Sequence, residues 1–104
     1  MNEDLFIFEI SYKDYNDLLI KSAKDIEVEH FLFLSKFQGT FLAIDNEVGS
    51  FQCEEFPSKE KALCWLLRKD YSAEEIMKLQ NIEARHLIKK ARYKIIPKGV
   101  LYGI

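Results

Sequence analysis

Two cysteines, two prolines, four glycines and one tryptophan are all that this 104-residue chain holds of those types. Two cysteines are too few for a disulfide scaffold. Cys53 falls in an expected strand and Cys64 in an expected helix, so both are expected as buried free thiols. Gly39, Gly49, Gly99 and Gly103 stand isolated, so no glycine-rich loop is present to cradle a phosphate. His30, Cys53, Cys64 and His86 are scattered, with no CxxC or HxxxH spacing, so neither a metal nor another cofactor is expected. Asp45, Glu54, Glu55 and Lys59 could be imagined around a divalent ion, but their spacing matches no nuclease motif. No nucleophile sits beside a histidine in a catalytic pattern, so the expectation is a protein that is not an enzyme. No apolar run approaches the roughly 18 residues of a membrane span. The opening MNEDLFIFEI is acidic where a signal peptide would be basic, which points to the cytoplasm. There is no repeat, low-complexity tract or linker, so residues 1–104 are expected to form one domain.

What is present is a globular composition, 48% apolar and 31% charged, with charge that is unevenly spread. Residues 1–60 carry five lysines against thirteen carboxylates, and residues 61–104 carry ten cations against four carboxylates. After Glu83 there is no acid. Such polarity implies either charged partners or attraction between the two halves.

The organising stretch is 31–67. Phe31, Phe33 and Phe37 share one face of an extended segment, with Leu32 and Leu34 on the other. Gln38-Gly39 is a two-residue hairpin turn, where glycine supplies positive φ. Phe41–Ile44 returns as a strand with both faces apolar, hence central and covered on both sides, or else a docking face. Asp45–Gly49 is a second turn and Phe51–Phe56 a third strand. Pro57 stops it, and Ser58 caps a helix whose first turn holds Glu60. Upstream, residues 5–12 alternate as a strand, and Asp14 can cap a helix running to about Lys24. Downstream, Ser72-Ala73-Glu74-Glu75 is a capping box that opens another helix. Tyr93–Ile96 and Val100–Ile104 read as short strands or an extended tail. The expected fold is α+β, an antiparallel β-meander packed with two or three helices in the order βαβββαα, with an optional C-terminal strand.

Two charged sets are candidate sites. Glu27, Glu29, Asp45, Glu47, Glu54 and Glu55 flank the meander close to its turns. As one face they could enter a basic channel in place of phosphates. Arg85, Lys89, Lys90, Arg92 and Lys94 form a basic C-terminal segment that could neutralise phosphates, with Tyr93 stacking. Residues 72–96 can be laid on a helix-turn-helix with its turn near Asn81 and its second helix over Glu83–Arg92. The run SAEEIMKLQNI faintly resembles small excisionase-type regulators, although Gln80 and Lys90 fall where that motif buries apolar residues. A third expectation is a homodimer through the apolar Val100–Ile104.

The segment Thr40–Leu67, with its AIDNEVG turn, EEF strand end and KEKALCWL helix, resembles a pattern in small proteins of phages and mobile elements. It covers about a quarter of the chain. It departs from that pattern with Phe51 and Cys53, where a tryptophan is frequent. Small charge-polarised proteins of this kind resemble the anti-defence class, including anti-CRISPR proteins. The resemblance implies binding and inhibition of a bacterial CRISPR nuclease effector or other defence protein, without catalysis. The alternative is a small DNA-binding transcriptional regulator using residues 72–98.

Overall fold

The computed structural model describes residues 4–97. Strand β1 (Leu5–Glu9) leads into helix α1 (Tyr12–Ala23), followed by the meander β2 (Leu32–Phe37), β3 (Thr40–Asp45) and β4 (Gln52–Phe56). Helices α2 (Lys59–Leu67), α3 (Ala73–Met77) and α4 (Asn81–Ile88) then return the chain to β5 (Tyr93–Ile96). One five-stranded sheet results, in the order β4-β3-β2-β1-β5. Val100–Ile104, expected as a strand, tail or dimer contact, lie outside the described residues.

The α+β class is as expected, but the sheet is mixed. β1 runs parallel to β2 on one side and to β5 on the other, while β2-β3-β4 are antiparallel. A parallel neighbour needs a crossover of a dozen or so residues, and the twelve-residue α1 supplies it between β1 and β2. The helix between those two strands was visible in the sequence. Its consequence for strand direction was missed.

The two strand faces carry two cores. Ile7, Leu32, Leu34, Ala43 and Phe56 face α2, α3 and α4, meeting Leu63, Leu66, Ile76 and Ala84. Ile10, Phe33, Leu42 and Ile44 face α1, meeting Tyr15 and Leu18. β3 is therefore covered on both sides, with Ala43 and Ile44 fully buried. This explains its apolar residues on both faces.

Local chemistry sets the joints. Gln38 (φ 50°) and Gly39 (φ 81°) both take left-handed conformations, as a primed hairpin turn requires. Ser58 Oγ accepts from the Lys61 N–H at 3.2 Å. Ser72 and Glu75 complete their capping box at 3.1 and 2.9 Å. The α1 cap is Ser11, not Asp14: its hydroxyl accepts from the Asp14 N–H, which puts Asp14 inside the first turn. The segment after Ser72 is two helices rather than one. The break falls at Lys78–Gln80, where Gln80 turns extended and donates its N–H to Glu83. Asn81 is thus the first residue of α4 and not a left-handed turn residue.

Candidate interaction surface

β4 is an edge strand, paired among the described residues with β3 alone. Gln52, Cys53, Glu54 and Glu55 are all exposed along it. Cys53 is therefore surface rather than core, because it lies on the outermost strand. Cys64, inside α2, is buried as expected, and burial pushes its thiol pKa up.

The acidic set does not form one face. Glu54 lies opposite Ala43 on the α2 side of the sheet, and Glu55 lies opposite Leu42 on the α1 side. Strand alternation alone separates them. Asp45 and Glu47 close around Lys69, the latter at 3.3 Å. Glu27 is exposed, 3.9 Å from His30. Glu29 is exposed on the same connection between α1 and β2. That connection is anchored to the β3–β4 turn by Asn46, whose side-chain amide donates to the Val28 and Glu29 carbonyls, both at 2.9 Å. Among the described residues, Glu29, Glu54 and Glu55 form no ion pair.

The basic set is largely spoken for. Arg85 reaches Glu60 at 3.1 Å across α4 and α2. Glu60, bonded to its own backbone N–H and to Arg85, is held below the usual glutamate range. Arg92 and Lys94 lie 3.1 and 3.9 Å from Asp4. Lys89 and Lys90 follow the end of α4 in a turn, fully at the surface, so they do not extend a recognition helix. The expected second helix over Glu83–Arg92 is α4, which starts two residues earlier, at Asn81, and ends at Ile88, so Lys89–Arg92 lie beyond it. The outer side of α4 presents Ile82, Glu83 and His86. Ile82 and His86 line an apolar cleft of about 430 Å³ with Tyr71, Leu79 and Leu87.

A second cleft, of about 270 Å³, opens beside β4 on the α1 side. Its walls include Tyr12 and Tyr15 of α1, Phe37 at the end of β2, and Glu55. The Tyr12 ring is nearly parallel to the other two, with centroids 3.9 Å from Phe37 and 6.3 Å from Tyr15. Tyr15 is buried, with the Cys53 thiol and Glu55 carboxylate near its hydroxyl. Burial first, and those neighbours second, push its pKa far above the ordinary tyrosine value. The sequence reading missed this grouping because it placed Tyr12 at the end of β1. The Ser11-to-Asp14 spacing of an N-cap was the signal that moves Tyr12 onto α1.

Among the described residues, no three His, Cys, Asp or Glu side chains converge as metal ligands. No described helix is long and apolar enough to cross a membrane. Compared with known protein families, curated proteins and solved structures, the chain matches none.

Proposed function

We propose that this is a non-enzymatic binding protein that engages a basic partner through the β4 edge and the loop end beside it. In the anti-defence reading, the protein comes from a phage or mobile element and acts in the host cytoplasm. Its partner is a bacterial CRISPR nuclease effector, and its carboxylates take places that nucleic-acid phosphates would otherwise occupy. One observation carries the proposal. Asp4, Asp45, Glu47 and Glu60 pair with cations of the chain, whereas Glu29, Glu54 and Glu55 stand exposed and form no ion pair among the described residues. Carboxylates left unpaired on an open edge are free for an external cation.

The test is binding of the tagged protein to purified, guide-loaded CRISPR nuclease effectors after nuclease digestion of free nucleic acid. The wild type is expected to hold an effector, and Glu29→Lys with Glu54→Lys to lose it with an unchanged urea midpoint. Effector binding indifferent to those reversals would sink the proposal. So would recovery of nucleic acid alone, abolished by Lys89→Glu and Lys90→Glu, which would move the function to the basic segment.

A further inference from the structure

We propose that the cleft formed by Tyr12, Tyr15, Phe37 and Glu55 is a receptor for an arginine side chain, presented by an extended partner segment that pairs with the open edge of β4. This names the partner chemistry of the surface proposed above, and in that sense rests on it.

The backbone supplies the first half of the site. Among the described residues β4 hydrogen-bonds to β3 on one side only, so its outer row of N–H and C=O groups is available to an added strand. A strand added there alternates its side chains between the two faces. Every second side chain then falls on the α1 side, in line with Glu55, which shares that side with Leu42. The cleft opens at that level of the sheet, with Leu42 and Glu55 both in its wall.

The side chains supply the second half. Glu55 offers a carboxylate with no cation of its own among the described residues. Tyr12 and Phe37, stacked at 3.9 Å and both partly exposed, offer oriented aromatic surface. Two cation–ring contacts among the described residues lie elsewhere, Lys36 over Phe41 and Arg68 over Tyr71. Gln38 and Thr40 add neutral hydrogen-bonding groups at the rim. The Tyr15 hydroxyl, like any tyrosine at ordinary pH, is protonated and a neutral neighbour for a cation. A guanidinium suits this set better than an ammonium, because its plane stacks on a ring while its fork meets a carboxylate with two bonds. The neighbouring residue of the added strand projects to the opposite face, beside the unpaired Glu54. The preferred ligand is therefore an extended segment with two consecutive basic residues between β-branched flanks.

The probe is the blocked hexapeptide Thr-Val-Arg-Arg-Val-Thr, titrated into the full chain by amide-resolved NMR and calorimetry. A second peptide carries citrulline at both arginines, keeping shape and removing charge. The arginine peptide is expected to shift the amides of residues 52–56 and of Tyr12 and Tyr15. Citrulline, Glu55→Gln and Tyr12→Leu are each expected to weaken binding by about tenfold. No binding, shifts that map away from β4, or equal binding by wild type, Glu55→Gln and Tyr12→Leu would each overturn the proposal. The effector assay separates the two levels. An effector lost by the Glu29/Glu54 reversals but held by Glu55→Gln and Tyr12→Leu leaves the acidic surface standing and removes the cleft. An effector that never binds removes the inhibitor reading, and the peptide titration then judges the cleft alone.

Discussion

Asn46 and Ser35 are the two buried polar side chains among the described residues, 3% and 5% exposed, and their situations are opposite. Asn46 spends its side-chain amide on two carbonyls of the α1–β2 connection. Removing it leaves those carbonyls without that donor at a buried joint. Asn46→Ala should cost about 2–3 kcal/mol in urea unfolding. Ser35 Oγ has no hydrogen-bond partner among the described residues. Its hydroxyl has given up water without recompense, so Ser35→Ala should be neutral or stabilising by up to about 1 kcal/mol. A loss of more than about 1 kcal/mol would show that the hydroxyl is bonded after all. Neither role was legible in the sequence. Asn46 looked like one more turn residue in Asp45–Gly49, because its partners come from 17 and 18 residues away.

Helices and turns were the legible part of this chain, because their signals are local. Ser58 and Ser72 announce α2 and α3 by chemistry contained within four residues, and Gln38-Gly39 announces the hairpin in the same way. Apart from the Ser11 cap, what failed was set by distant elements. Across the α3–α4 break, Ile76 of α3 and Ala84 and Ile88 of α4 join one core with the sheet. Arg68 fastens that arrangement by donating to the Leu87 carbonyl while gripping Asp70. Arg85 adds the Glu60 contact between α4 and α2. Glu60→Gln should therefore cost a few tenths to about 1 kcal/mol at neutral pH, as expected for a partly exposed pair. The sign with pH follows from the lowered Glu60 pKa. The stabilisation is fully present above the ordinary glutamate value and is lost as pH falls through the depressed folded value. Urea midpoints of the wild type and Glu60→Gln should differ by a constant above about pH 6 and converge in acid. A gap that widened on acidification would contradict the Glu60–Arg85 contact.

At the scale of the molecule, the charge asymmetry was the plainest feature of the sequence, and its meaning was the least legible. An acidic half and a basic half serve equally for self-attraction and for meeting partners. Only the tertiary arrangement divides the charges between those uses. Among the described residues, five of the nine ion pairs join residues 1–60 to residues 61–104. Lys69 is the focus, alone between Asp45 and Glu47 where the α2–α3 connection meets the β3–β4 turn. Much of the polarity is thus internal, and the acids of the β4 edge are among those left over. Lys69→Glu would set three carboxylates together and should destabilise by about 1–2 kcal/mol at low ionic strength. Because the site is only partly buried, most of that loss should vanish as salt shortens the screening length from about 30 Å at 0.01 M to about 3 Å at 1 M. Lys13→Glu beside Asp17 is the control. That pair lies within the acidic half on the exposed side of α1, and its reversal should cost well under about 1 kcal/mol. If Lys69→Glu were no worse than Lys13→Glu, or its cost did not fall with salt, the halves would not be held by charge. The asymmetry would then be left for partners to use.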